Sequence, residues 1–140
     1  MVIFVLSRIW RHGGIIERQK DGSLKLLNHK NIPAEVLKSA EPIFPEIDKY
    51  LQSVEGMNAT DTTLWKMIVA LCGWQTNESI SNFLNNDETA LNLFVEYQAA
   101  LAKNGWKEIY EDWRHYENDD SAALKNEIYA RAVAFAKKGA

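Results

Sequence analysis

One strand-forming segment near the N-terminus constrains the fold more than any other feature of this sequence. Two short β-prone runs, residues 15–19 and 24–28, flank residues 20–23, which contain an Asp-Gly pair. Asp-Gly is the usual central pair of a type I′ turn, whose twist matches that of paired strands. The pattern predicts an antiparallel hairpin with Ile16 and Arg18 on the same face.

Helical patterns lie on both sides of this hairpin. Residues 2–12 carry apolar side chains at helical spacing and end at a Gly-Gly pair. After the hairpin, Asn31 is expected to cap a helix that has Pro33 in its first turn and ends before Pro42. A further helix is predicted over residues 45–54.

Every segment after about residue 58 has the periodicity of a helix. We expect a helix capped within residues 60–63 and ending at Cys72, and a short helix over residues 77–84. The next helix is expected to be capped by Asn86 or Asp87 and to end near Lys103. It is followed by a helix with Trp106, Ile109, Tyr110 and Trp113 on one face and by a last helix capped by Asp120 or Ser121. The predicted fold is therefore α+β and helix-dominated: a helix–β-hairpin–helix unit over residues 1–56 and a mostly helical bundle over residues 57–140.

Composition and charge exclude several functional classes. Of the 140 residues, 46% are hydrophobic and 25% charged, as in globular proteins, and the net charge is −3. Residues 1–58 have a net charge of +1 and residues 59–140 a net charge of −4, so direct binding to nucleic acid is not expected. The longest apolar run, residues 2–6, is too short to span a bilayer, and no membrane association is expected. A single cysteine fits a reducing compartment, and we expect a cytoplasmic location.

The sequence contains no recognisable catalytic or metal-binding pattern. The three histidines, His12, His29 and His115, are far apart, and none lies three or four residues from another histidine or a cysteine. Cys72 lies on an apolar stripe and is expected to be a buried, packed side chain, although pairing with a histidine as a nucleophile remains an alternative. We expect no enzyme activity, no metal and no cofactor.

Aromatic side chains are concentrated in the second half of the sequence. Most are expected to fill the core of the helical bundle, because a small bundle needs large side chains to fill it. Stacking with single-stranded bases is the alternative use, but it requires neighbouring basic residues, and this half is net acidic.

The order helix, strand, strand, helix, broken helix over residues 2–54 resembles a known family of domains. The residues that carry the match are Leu6, Ile9, Gly13, Gly14, Ile16, Asp21, Gly22, Leu24, Leu26, Pro33, Val36, Leu37, Ile47 and Leu51. This pattern is similar to the N-terminal docking domains of tubulysin-type nonribosomal peptide synthetases, and to domains in uncharacterised proteins of phages and other mobile elements. Residues 28–31, Pro42 and Pro45 depart from it.

The resemblance implies that an exposed hairpin pairs with a short segment of a partner protein, and that basic side chains select acidic residues in that segment. The implied partner-binding residues are Ile16, Arg18, Lys20, Lys25 and Leu27. We expect the side chains of Arg18 and Lys25 to point to solvent. Edge strands offer free backbone donors and acceptors, so strand addition is physically accessible. The alternative for Arg18, Lys20 and Lys25 is that they only keep an edge strand soluble.

The expected function is thus non-catalytic protein–protein docking through the hairpin. The alternative is an accessory protein of a phage or plasmid that acts on nucleic-acid machinery, in replication or against host defence. A homodimer is compatible with the sequence in either case.

Overall fold

Helices form most of the computed structural model, which describes residues 1–139. The chain divides into two compact units: residues 1–56 together with 73–75, and residues 57–72 together with 76 onward. The fold is α+β and helix-dominated, as predicted, with one hairpin between helices and a helical C-terminal part. No helix among the described residues combines the length and the apolar character needed to cross a membrane.

The first unit contains three helices and the hairpin. Its elements are α1 (Val2–Arg11), β1 (Ile15–Arg18), β2 (Leu24–Leu27), α2 (Ala34–Ala40) and α3 (Phe44–Glu55), with 3-10 turns at His29–Asn31 and Glu41–Ile43. Helix α1 packs against both α2 and α3. The core between them consists of buried aliphatic side chains, among them Leu6, Ile9, Val36 and Ile47, each with no solvent exposure.

Gly14 allows the close approach of α1 to the segment that follows the hairpin. A Cβ atom at this position would lie 2.6 Å from Ile32 Cδ1 and 2.7 Å from Ile9 Cγ2. Both contacts are far shorter than ordinary van der Waals separations, so a side chain here would force the two isoleucines apart. The second glycine of the Gly-Gly pair is therefore required by packing.

The hairpin has the predicted pairing but a different turn. Its turn is not the type I′ turn expected from Asp-Gly, because Asp21 is not among the residues with positive φ. Instead Gly22 N–H donates to Gln19 C=O at 3.0 Å, Gln19 N–H donates to Ser23 C=O at 2.7 Å, and Gly22 has φ +89°. These features define a type I turn followed by a glycine bulge, the usual three-residue hairpin loop.

The connection after the hairpin also differs from the prediction. Asn31 does not cap a helix but ends a 3-10 turn, and Pro33 occupies the N-cap position of α2. Helix α2 uses no N–H of its N-cap residue, so proline, which has none, loses no hydrogen bond at this position. Pro42 and Pro45 lie in the first turns of the following 3-10 and α-helical segments, where the missing donor costs little.

The second unit contains four helices. They are α4 (Ala59–Leu71), α5 (Glu78–Asn86), α6 (Glu88–Lys103) and α7 (Asp119–Lys138), with a 3-10 turn at Trp113–Tyr116. Helix α7 packs on α4 and α6, and α5 packs on the same two helices. The centre of this unit is filled by fully buried side chains that include Phe94, Tyr97, Leu101 and Ile128.

Asparagine and aspartate side chains cap all four helices. The cap residues are Asn58, Asn77, Asp87 and Asn118, each of which accepts a backbone N–H three residues later. Asp87 was one of the two predicted caps of α6. The predicted caps at residues 60–63 and at Asp120 or Ser121 are wrong, because Asn58 and Asn118 start the helices earlier. Ser121 is not the cap residue, but its hydroxyl accepts the Asn118 backbone N–H and so completes a capping box.

The helix predicted to carry Trp106 and Trp113 on one face does not exist. Residues 104–112 are irregular. The indoles of Trp106 and Trp113 are buried, but the side chain of Ile109 is exposed. Trp106 Nε1 donates to the Glu111 carbonyl at 3.1 Å, and Asp112 Oδ1 accepts the N–H of Arg114 at 3.0 Å. Side-chain bonds of this kind satisfy the backbone locally and compete with helix formation.

Candidate partner-binding site

The two faces of the hairpin differ in exposure. The strand register pairs Ile15 with Leu27, Ile16 with Leu26, Glu17 with Lys25 and Arg18 with Leu24. Directly paired residues share a face, so Ile15, Glu17, Lys25 and Leu27 form one face, called the outer face below. Ile15 is 50% exposed, and Glu17 and Lys25 are exposed as well. The four residues of the inner face are half-buried.

Arg18 is occupied within its own unit and does not point freely to solvent, so that expectation is wrong. Its guanidinium donates to Asp48 Oδ1 at 2.9 Å, to Glu55 Oε2 at 3.1 Å and to the Gly22 carbonyl at 2.8 Å. The hydrogen bonds to Asp48 and then Glu55 raise the pKa of Arg18. Arg18 therefore joins the hairpin and its turn to α3.

Arg18, Lys20 and Lys25 do not form a single basic face. Arg18 belongs to the inner face and Lys25 to the outer face, while Lys20 lies in the turn. Both lysines are exposed. Lys25 lies directly across from Glu17, and oppositely charged cross-strand pairs attract each other. Of the five predicted binding residues, Lys25 and Leu27 share the outer face, and Ile16 and Arg18 share the inner face.

Both edges of the hairpin present unpaired backbone groups. Gln19 and Ser23 form a hydrogen-bonded pair, and hydrogen-bonded and non-hydrogen-bonded pairs alternate along antiparallel strands. The pairs that contain Leu24 and Leu26 are therefore non-hydrogen-bonded. The N–H and C=O groups of Leu24 and Leu26 therefore point away from β1. The described residues supply no third strand and no backbone bond to these groups.

The side chain of Asp21 holds the turn, an interaction that was not predicted from the sequence. Asp21 Oδ1 accepts the backbone N–H of Ser23 at 2.9 Å and the Ser23 hydroxyl at 2.6 Å. These hydrogen bonds, the hydroxyl first, lower the pKa of Asp21. The Asp-x-Ser spacing is the sequence signal for such a turn.

Asp48 and Glu55 were also missed as parts of the site. They are seven residues apart on α3, which places both carboxylates on the same face of the helix. That spacing is the signal that could have found them, but it does not identify the arginine 30 residues earlier as their partner.

A second group of charges lies inside the helical unit. Lys125 Nζ donates to Asp61 Oδ1 at 2.7 Å and to Glu117 Oε2 at 2.6 Å, and its side chain is only 15% exposed. Tyr97 is fully buried in the same unit, and burial, followed by the charge of Glu117, raises its pKa. We call Lys125, Asp61 and Glu117 the lysine cluster. The ammonium group offsets one of the two carboxylate charges and links α4, α7 and the segment before α7.

Candidate nucleophiles and metal ligands are not assembled into a site. Cys72 is half-buried, so the expectation of a buried thiol is wrong, and its neighbour Leu71 is 49% exposed. Within residues 1–139 no three His, Cys, Asp or Glu side chains are grouped closely enough to hold a metal ion. Comparison of the chain with protein-family models, curated proteins and solved structures finds no match.

Proposed function

We propose that the protein is a non-catalytic docking protein whose β2 edge accepts a short acidic segment of a partner protein as a third strand. The observation that carries this proposal is the pair of unpaired backbone positions on β2, Leu24 and Leu26, in a sheet of only two strands. Strand addition satisfies such groups with main-chain hydrogen bonds, while alternate side chains set the selectivity. The single cysteine suits action in a reducing compartment such as the cytoplasm.

Charge favours the β2 edge over the β1 edge for an acidic partner. A strand added to β2 places one of its residues directly beside Lys25, whose side chain is exposed on the outer face. A strand added to β1 places the equivalent residue beside Glu17, where an acidic side chain is repelled. Leu27 lies two residues after Lys25 on the same outer face of β2 and offers an apolar contact to the added strand.

Two of the remaining predicted residues have supporting roles in this proposal. Arg18 is bound to Asp48 and Glu55, so it holds the hairpin against α3 and leaves the selection of acidic residues to Lys25 and Lys20. Ile16 lies on the inner face and contributes to the packing of the hairpin.

The test uses peptides selected from a random library displayed on phage, with the full chain as bait. Peptides recovered on the wild type are expected to alternate apolar residues with an acidic residue. Lys25→Glu should weaken their binding about 2- to 30-fold, because an exposed cross-strand attraction worth about 0.2–1 kcal/mol is replaced by a repulsion of similar size. The matched control is Glu17→Lys, the same kind of reversal on the facing residue, which should retain or strengthen binding.

A backbone variant separates strand addition from a purely ionic contact. Leu24 is the first residue of β2, a position that tolerates proline, and Leu24→Pro removes an outward N–H that the ladder does not use. We expect Leu24→Pro to fold, by circular dichroism, and to lose peptide binding. Selected peptides that bind Lys25→Glu and Leu24→Pro with wild-type affinity would show that β2 is not the docking edge.

A further inference from the structure

Helix α6 has an apolar face that nothing in the described chain covers. Its opposite side holds the helix in the unit through four fully buried residues, Ala90, Phe94, Tyr97 and Leu101. The uncovered side carries Leu91, Val95, Ala99 and Ala102, all exposed and spaced by four, four and three residues. We call these four residues the α6 stripe. An amphipathic helix needs one apolar face, and α6 has two.

The two large members of the α6 stripe are substantially exposed. Leu91 is 38% and Val95 56% exposed, whereas the members near the C-terminal end of the helix are both alanine. The stripe thus has a bulky half and a small half. Such a gradient fits a partner helix that has the same gradient and runs in the opposite direction.

Opposite charges lie at the two ends of the stripe. Glu88 begins the helix and Lys103 ends it, and both side chains are exposed. Among the described residues, neither of them forms an ion pair. The 16-residue helix is about 24 Å long, so the two charges cannot reach each other within one molecule.

We propose that the α6 stripe binds the α6 stripe of a second copy of this chain, with the two helices antiparallel. In the symmetric register, Val95 faces the same residue of the second copy, and Leu91 faces Ala99. Glu88 then lies beside Lys103 of the second copy, and symmetry repeats this pair at the other end. A two-fold interface requires one self-complementary patch, and the α6 stripe supplies both the size and the charge complementarity.

The antiparallel direction follows from the charges. Parallel helices would bring Glu88 beside Glu88 and Lys103 beside Lys103, and they would pack the two bulky halves together. The surface is a single helix face, smaller than the roughly 1,200–2,000 Å² typical of stable complexes, so the dimer forms at high protein concentration. This interaction is independent of the hairpin.

The experiment measures self-association of the full chain by sedimentation equilibrium over a wide concentration range. The wild type is expected to show a concentration-dependent monomer–dimer equilibrium. Val95→Glu should weaken it at least about tenfold, because two glutamates then meet at the symmetry axis. The matched control is Ile109→Glu, which introduces the same charge at another exposed apolar residue, outside α6, and should dimerise like the wild type.

A charge swap tests the register. Glu88→Lys and Lys103→Glu should each weaken the dimer, because each brings like charges together, and the double variant should recover most of the lost affinity. If the two substitutions only destabilised helix α6, their effects would add in the double variant and the affinity of the dimer would not recover. The proposal is overturned by a wild type that stays monomeric at millimolar concentration, by a Val95→Glu dimer of unchanged affinity, or by a double variant as weak as the single ones.

Discussion

Replacing Lys125 by methionine removes the one cation of the lysine cluster and keeps most of the length of the side chain. Asp61 and Glu117 then face each other without the ammonium group that both of them bind at 2.6–2.7 Å. Their own side chains are only 23% and 16% exposed, so water compensates them poorly. We expect a substantial loss of stability, because a charge left unpaired in a partly buried site costs more than the pair contributed.

The magnitude follows from the burial of the cluster. Removing one partner of a fully buried pair costs about 3–5 kcal/mol, and an exposed pair contributes about 0–1 kcal/mol. The Lys125 side chain is 15% exposed, nearer the buried limit, so we expect a loss of about 2–4 kcal/mol. For a chain of this size that corresponds to a fall of roughly 6–16 °C in melting temperature.

The assay is thermal and urea unfolding of Lys125→Met beside a triple variant that also carries Asp61→Asn and Glu117→Gln. Removing both negative charges should restore a large part of the loss, because the amides need no cation. If Lys125→Met melts within about 2 °C of the wild type, the cluster behaves as an exposed pair and the reasoning from burial is wrong.

Three further predictions follow from the structure. The hydrogen bond from Arg131 lowers the pKa of Asp87 against the opposing effect of desolvation and with help from the Ala90 N–H. The contribution of Asp87 to stability is therefore present above its unfolded pKa of about 4 and is lost as pH falls through the folded value. Urea unfolding from pH 5 to pH 2 should show a smaller loss of stability for Asp87→Asn than for the wild type. Burial raises the pKa of Tyr97, whereas for Lys125 burial lowers the pKa but the hydrogen bonds to Asp61 and Glu117 together outweigh it and raise it. Both contributions to stability are present below unfolded pKa values of about 10 and are lost as pH rises through the folded values. Tyrosine absorbance should show one side chain that ionises only with unfolding. Gly14→Ala should destabilise by about 1–3 kcal/mol in urea unfolding, whereas Gly56→Ala, with no close neighbour for its Cβ, should change stability by less than about 1 kcal/mol.

The sequence was sufficient for the faces of the hairpin and for the order of the strands and α-helices, apart from one predicted helix after α6 that is absent. Apolar spacing located most of the helices, and the two-residue period of a strand placed Ile16 and Arg18 on the same face, which the register confirms. The Asp-Gly pair located the turn but not its type, because Asp-Gly occurs both in two-residue loops and before a glycine bulge. The hydrogen bond that the Ser23 N–H donates to Asp21 Oδ1 accompanies the longer loop.

The segment after α6 could not be predicted from periodicity. Trp106 and Trp113 are seven residues apart, as on one face of a helix, and both are buried. Their burial is achieved by an irregular chain, in which the indole of Trp106 bonds the Glu111 carbonyl. Periodicity reports which side chains are buried, and two buried indoles at helical spacing are also compatible with a folded loop.

Fewer cations are available to select a partner than the sequence suggested, because Arg18 of the hairpin is already paired. Arg18 binds two carboxylates of α3, which leaves Lys20 and Lys25 as the exposed cations of the hairpin. Lys25 itself faces Glu17, so its net attraction for an acidic residue is weakened. Backbone pairing along β2 must then supply most of the affinity of the proposed docking, because the Glu17 charge offsets both the attraction of Lys25 for an acidic residue and its repulsion of a basic one. On this argument Lys25→Ala weakens peptide binding much less than Lys25→Glu does, since the first removes a partly compensated attraction and the second adds a repulsion.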